Sequence, residues 1–501
     1  RLHEEAIGCF QNTISIDQKY LNAYINNIHS CRKLMHYGIA LQLTEQALTL
    51  NPQEKFLLGS YLHTKMLLCN WQGLDILYSQ VLQGLRNNQK VAEPFGFQGI
   101  CTSEADLQKC AQIMADDHFP PLTPVINKEV VYDNPKIRIG YLCGEFRNQA
   151  TSILMTGVYE GHDKSRFEIF AFDNGWDDGS ELRHRMQEAF SQIIDITTLT
   201  DEAAAKLIAE MKIDILVNLN GYFGDGRQNI FAHRAAPIQV NYLGFPGTMG
   251  APYMDYLIAD QTVIPPDQQG FYTEKVVYLP HCYQANDSKR KIADRQFTRQ
   301  ELGLPEAGFV FCCFNNNYKI TPQTFDSWMR ILSTVEGSVL WLLEDNANAA
   351  QNLRNEAIIR GIAAERLIFA PRMSLPEHLA RHRQADLFLD TWPYNAHTTA
   401  SDALWAGLPL LTCYGTTFAG RVAASLLKAI DLPELITYTP EQYETLAVEL
   451  ALNPNKLSQI KTKLAAHRTT TPLFDTAGFT KDLEKAYLQM YAGGGDIKHT
   501  Y

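Results

Sequence analysis

A chain of 501 residues, 46% hydrophobic and 20% charged, is long for one core and is expected to form two to four globular domains. Its net charge of −11 excludes an overall positive field for nucleic acid or an anionic membrane, and no apolar run reaches the roughly 18–20 residues that cross a bilayer. The ten cysteines show no Cys-x-x-Cys pair and no Cys/His ligand spacing, so they read as reduced core thiols of a cytoplasmic protein rather than as a metal site.

The chain opens on Arg1 without a visible signal peptide, so its natural start is expected to lie elsewhere. The first hundred residues are helical and repetitive. Ala6 recurs as Ala40, Ile16 as Leu50, Asp17 as Asn51 and Tyr37 as Trp71, each 34 positions on. That interval is the tetratricopeptide period, and Asn51-Pro52 reads as a repeat-ending turn. Such a helix pair cannot bury its apolar face alone, and stacked pairs form a concave surface suited to peptides. An irregular helical bundle is the plainer alternative, because helical signals continue from Trp71 to Asp117 without clean repetition. The expected segment is an all-α, tetratricopeptide-like array over residues 1–117.

Residues 118–135, with Phe119-Pro120-Pro121, Pro124 and Pro135, break the helical pattern and read as a linker. Apolar runs at 137–142, 167–172, 215–219 and 238–243 then alternate with helical stretches such as 201–212. A second series begins at 309–314 and continues through 339–343, 367–369, 387–389 and 408–412. Short buried strands separated by helices imply parallel sheets covered on both faces, here two Rossmann-like domains with a ligand cleft at the carboxyl ends of their strands. The expected boundaries are 136–287, a polar hinge at 288–304, 305–475, and 476–501 for a last helix packed back across the domains plus a tail.

Asn395-Ala396-His397-Thr398-Thr399-Ala400-Ser401-Asp402 follows a strand and opens a helix. Free backbone N–H groups and the helix dipole at such a start suit a phosphate, with Thr398 and Thr399 adding hydroxyls and Asp402 reaching a ribose. The plainer reading makes Thr-Thr a helix cap. Asn316, Tyr318 and Lys319 follow another strand, ahead of a helix that Thr321-Pro322 starts. There the Lys319 cation can neutralise charge on a leaving diphosphate, although a lone lysine is more often solvated. Leu243-Gly244-Phe245-Pro246-Gly247 lets backbone approach a ligand closely, or is simply a turn. His378 and Arg381, three apart, share a helix face, as they would on any amphipathic helix.

In this order the four sites resemble the catalytic region of the O-GlcNAc transferase family, which includes the Spindly-type enzymes. The resemblance runs from about Ile137 to Tyr491 and takes in Leu216-Val217-Asn218-Leu219-Asn220-Gly221-Tyr222, Arg234-Ala235-Ala236-Pro237-Ile238-Gln239, Met254-Asp255-Tyr256, Ser338-Val339-Leu340-Trp341-Leu342-Leu343 and Arg421-Val422-Ala423-Ala424-Ser425. It implies the GT-B fold, with the first Rossmann-like domain on the acceptor side and the second binding a nucleotide sugar. It implies that Lys319 contacts the donor diphosphate, Thr398 and Thr399 its phosphates with His397 alongside, and Asp402 the ribose. His378 and Arg381 are then near the nucleotide, with Leu243, Gly244 and Pro246 near the sugar. It also implies no metal ion, so Asp177-Asp178 read as a loop.

The resemblance also places Gln149 in the catalytic site, at a position where the family often carries histidine in an Asn-His-Pro-x-Ser segment; glutamine can hydrogen-bond there but cannot act as a base. The sequence departs from the family again at Leu375, where animal enzymes have a lysine, and it lacks their large insertion. The expected function is transfer of a sugar, GlcNAc first, from a UDP-sugar to serine or threonine of a protein docked on residues 1–117 and the interdomain cleft. Glucose transfer to asparagine, fucose transfer from GDP-fucose, and an inactive scaffold are the alternatives.

Overall fold

The structure, a computed structural model, describes residues 2–493. The glycine run and polar tail expected at the carboxyl end lie outside the described residues.

The helical segment comprises α1 (Leu2–Ile16), α2 (Leu21–Lys33), α3 (Tyr37–Leu50), α4 (Leu57–Leu67), α5 (Leu74–Arg86), a short α6 (Pro94–Gln98) and α7 (Glu104–His118). Each of the first four packs against the next, as repeated helix pairs do. Their apolar seam includes Tyr24, Ile28, Ala47 and Leu57, residues that no single helix could bury. The segment is seated on both sheets. Glu104 of α7 accepts hydrogen bonds from the Tyr272 hydroxyl (2.8 Å) and the Phe418 amide (2.6 Å), one residue beside each sheet. At the end of α4, the carbonyls of Leu67 and Leu68 accept from the amides of Asn346 (3.0 Å) and Asn352 (2.8 Å). These bonds satisfy carbonyls that a helix end leaves without a partner.

The first sheet contains β1 (Ile137–Cys143), β2 (Phe167–Asp173), β3 (Gln192–Asp195), β4 (Ile215–Asn218), β5 (Ile238–Asn241), β6 (Tyr256–Ala259) and β7 (Lys275–Tyr278), in the order β3-β2-β1-β4-β5-β6-β7. The second contains β8 (Val310–Cys313), β9 (Val339–Leu343), β10 (Leu367–Ala370), β11 (Leu387–Leu389), β12 (Leu410–Cys413) and β13 (Ile436–Thr437), in the order β10-β9-β8-β11-β12-β13. Every strand pair is parallel, which accounts for continuous apolar runs instead of alternation: β9 and β11 are buried at every position. Both orders reverse direction between the first and fourth strands, β1/β4 and β8/β11, and ligands bind at such reversals. The architecture is therefore GT-B-like with a leading helical array, as the sequence suggests.

Strands β3, β6, β7 and β13 are absent from the apolar runs read in the sequence. They are short, β13 being only two residues long, and the edge strands β3 and β7 carry exposed or half-buried residues, so their signal is weak. The last helix, Thr476–Tyr491, starts three residues earlier than the 479 read from sequence and returns to the first domain. There Glu484 accepts from His162 Nδ1 (3.0 Å), and Tyr487 pairs with Tyr141 (3.2 Å).

Candidate active site

A cavity of about 870 Å³ opens where the two sheets and the helical segment meet. It lies toward the large end of the roughly 300–1,000 Å³ typical of ligand pockets. Its lining comes from the loops after β4, β5, β8 and β11 and from α2, α4 and α6.

The loop after β8 carries Asn315, Asn316, Tyr318 and Lys319 to the wall. The Asn316 side chain caps the 3-10 turn Asn317–Lys319, and Thr321 caps the helix Pro322–Thr334. That turn buries Lys319 to 9% exposure. Its Nζ donates to the Asn395 carbonyl (2.9 Å) and lies 4.1 Å from the centre of the Tyr394 ring. Burial lowers its pKa to about 8, and buried Asp390 opposes that fall. The lysine is thus a cation held out of bulk water, where its field on a nearby anion is strong.

The loop after β11 is organised by Asp390. One of its oxygens accepts from the amides of Thr391 (2.7 Å) and Ala396 (2.6 Å), and the other from Thr412 Oγ1 (2.6 Å). This folds the loop so that the helix Thr398–Trp405 begins at the cavity, with His397 as cap residue and no side-chain cap bond. The first inward amides are those of Ala400 and Ser401, both bonded to the His397 carbonyl. The amides of Thr398 and Thr399 are left free at the wall, beside Lys319. The cap reading of the Thr-Thr pair therefore does not hold. The Thr399 hydroxyl donates to Asn315, which donates to Thr391 Oγ1 (2.8 Å), tying the two loops together. His397 donates Nε2–H to the Ala419 carbonyl (3.1 Å), and burial, reinforced by Lys319, keeps its ring neutral.

From the first domain come Leu243, Gly244, Tyr283 and Gln284. Leu243 adopts a positive φ of 70°, a strained backbone for leucine. Gly244 is a packing necessity, because a Cβ there would lie 1.9 Å from the Leu219 carbonyl oxygen. Gly244→Ala is expected to displace this wall, lowering unfolding free energy by about 1–3 kcal/mol. Urea unfolding checks it; a wild-type value would contradict the reading.

Several expected site residues lie elsewhere. Gln149 is exposed and caps the helix Ala150–Gly161 through its backbone alone; its neighbours Ala150 and Thr151 reach the cavity, but it does not. His378 and Arg381 face the sheet instead of the cavity. The Arg381 guanidinium donates to His378 Nδ1 (2.6 Å) and the Pro371 carbonyl (2.6 Å), and lies 4.6 Å from the Phe314 ring centre. The helix Leu375–Arg381 is short and packs down, so its shared face is the buried one. Pro246 turns its carbonyl to Gln98 of α6 (3.0 Å). Asp402 is not part of the cavity wall: its Oδ1 pairs with Arg290 Nη1 at 2.6 Å, both side chains being under 10% exposed. The Asp177-Asp178 pair is indeed a loop, with Asp177 and Asp178 accepting from the amides of Gly179 and Asn148. Among the described residues no group of three His, Cys, Asp or Glu side chains is placed to hold a metal ion.

Asp390, Asn315, Tyr394, Asn395 and the cavity-lining Gln284 have no role among the expectations drawn from the sequence. Asp390 and Asn315 stand just past strand ends, a position that in this architecture is itself a signal. Gln284 is far from any motif and shows none.

The family model described as glycosyl transferase family 41 matches residues 110–297 and 292–483, which include both sheets and the cavity-lining loops after β4, β5, β8 and β11. The chain belongs to glycosyl transferase family 41. This family 41 chain is 37% identical over 451 residues to the probable UDP-N-acetylglucosamine–peptide N-acetylglucosaminyltransferase SEC of Arabidopsis thaliana, covering 86% of itself and 46% of that protein. It is 29% identical over 494 residues to the UDP-N-acetylglucosamine–peptide N-acetylglucosaminyltransferase of Caenorhabditis elegans, covering 75% of itself and 43% of that relative. The chain thus spans about half the length of the curated relatives it matches. Among solved structures, a mutant of the O-GlcNAc transferase of Thermobaculum terrenum superposes with a TM-score of 0.81 at 27% identity, over 97% of this chain and 93% of that one.

Proposed function

We propose that this chain transfers N-acetylglucosamine from UDP-GlcNAc to serine or threonine hydroxyls of a protein acceptor, without a metal ion. The observation that carries this reading is the convergence of buried Lys319 and the free amides of Thr398 and Thr399 on one cavity. Together they form a diphosphate site made of one cation and a helix start. The acceptor hydroxyl attacks the anomeric carbon as the bond from that carbon to the diphosphate oxygen breaks. Lys319 and the helix end take up the charge that develops on departing UDP, which is the role a divalent cation would otherwise fill. Gln149 can neither reach the cavity nor accept the proton, so the proton passes to a phosphate oxygen of the donor, directly or through water. The acceptor runs along the helical segment into the cleft. The ten cysteines are all free thiols, nine of them buried, which supports a reducing compartment such as the cytoplasm.

Thermal unfolding with UDP, GDP and a series of UDP-sugars, in the presence of a chelator, tests the donor. Ligand at about 100 times its dissociation constant stabilises by roughly 2.7 kcal/mol. UDP and UDP-GlcNAc are expected to stabilise while GDP does not, and mass spectrometry of serine and threonine peptides then reads the transfer. Preference for GDP, or no nucleotide response, would overturn the assignment.

A further inference from the structure

His63 is the one histidine that α4 brings to the cavity wall, and it is held there with unusual completeness. The residue is 8% exposed. It is wedged against Gly96, where a Cβ would approach its Cγ and Nδ1 to 2.9 Å, and it meets the Tyr318 ring edge-on at 5.3 Å. Tyr318 adjoins Lys319, so His63 stands at the seam between the helical wall and the diphosphate end.

Its protonation follows from its neighbour. Arg32 of α2 places Nη2 3.0 Å from His63 Nδ1 and anchors its other arm on Ser60 Oγ at 2.7 Å. A guanidinium has no lone pair to offer, so Nδ1 accepts. Burial, with the adjacent Arg32 charge, lowers the imidazole pKa to about 3, so the ring is neutral and its single proton sits on Nε2. That Nε2–H has no partner among the described residues. A buried N–H without an acceptor is costly and calls for a ligand that supplies one. This ring is therefore a hydrogen-bond donor, and it cannot serve as a general base.

The donor sugar's groups have their own walls, Leu243 and Gly244 on one side and Lys319, Thr398 and Thr399 on the other, all from the catalytic domains. The wall around His63 belongs to the helical segment, where Ile25, Ile28, Leu57 and Phe95 add apolar surface. Apolar surface with one neutral N–H donor matches a polypeptide, which presents a carbonyl at every residue.

We propose that His63 is a positioning residue for the acceptor, donating Nε2–H to a main-chain carbonyl of the bound peptide. This rests on the transferase reading above. The experiment uses the full chain, UDP-GlcNAc and short degenerate peptides centred on serine or threonine. Three quantities are read: KM for peptide, KM for UDP-GlcNAc, and peptide-independent hydrolysis of UDP-GlcNAc. His63→Phe is expected to raise the peptide KM about tenfold and leave both donor quantities unchanged, while His63→Gln, which keeps an N–H, recovers most of the loss.

An unchanged peptide KM in His63→Phe overturns the proposal, as does an equal rise in the UDP-GlcNAc KM, which would give the N–H to the sugar's acetamide. Absence of transfer by the unsubstituted chain overturns the transferase reading and this proposal with it; transfer with an insensitive His63 overturns this proposal alone. If His63→Phe does not fold, the ¹⁵N signal of His63 Nε2 in the unsubstituted chain decides. It is expected to shift when peptide is added to the UDP complex, and an unmoved signal overturns the proposal.

Discussion

Lys319→Ala is expected to cut transfer roughly 10²–10³-fold, the range seen when one preorganised charge-stabilising donor is removed from an active site. UDP affinity should fall much less, because the amides of Thr398 and Thr399 remain at the helix start. The fold should survive, since the variant removes a buried cation while Asp390 keeps its bonds from Thr391, Ala396 and Thr412. The pH profile supplies a second readout. Burial lowers the Lys319 pKa to about 8, so the charged form is complete below that pH and lost as pH rises through it. Free-enzyme kcat/KM should therefore decline above about pH 8 in the unsubstituted chain, and Lys319→Ala should lack that limb. Full transfer by the alanine variant would remove Lys319 from the mechanism.

Asp402→Asn is expected to act on stability before it acts on the nucleotide. Arg290 is buried, with Asp402 Oδ1 at 2.6 Å, Ser401 Oγ at 3.0 Å and the Trp405 ring beneath. Burial raises the Asp402 pKa to about 6 despite that guanidinium, so desolvation outweighs the attraction between the two. Such a pair adds little net stability, yet removing one charge leaves the other buried and unpaired, which costs about 3–5 kcal/mol. Denaturant unfolding should show that loss while the UDP dissociation constant stays near its original value. The reverse result, weaker UDP binding at unchanged stability, would return Asp402 to the ribose.

The Asp402 case shows how legibility in the sequence divided. Strands with an unbroken apolar run, such as Val339–Leu343, and the strand–loop–helix punctuation around Thr398 can be read locally, because burial on both faces and a helix start leave marks within a few residues. Lys319 could be read because its place after a strand and before Thr321-Pro322 already put it at a sheet's carboxyl edge. His378 and Arg381 misled because three-residue spacing names a shared face without saying which way the helix turns it. Here the face turns inward, where the Phe314 ring receives the guanidinium. Gln149 misled in a different way, its match to a family position placing it in the site when its side chain points to solvent.

The sequence by itself determined the class of the molecule: a 34-residue helical repeat, two alternating strand–helix series and four sites whose order marks the family. These properties are carried by spacing and hydrophobic pattern, which act over short stretches of chain. Only the tertiary structure decided which side chains share the cavity. Asp390 shaping the loop ahead of Thr398, Glu104 joining α7 to both catalytic domains, and His63 reaching Tyr318 from α4 all depend on contacts between residues far apart in the chain. Burial at those contacts then set the charges, leaving Lys319 poised near neutrality and His63 neutral. Desolvation depends on what surrounds a group in three dimensions, and no local pattern of residues records it.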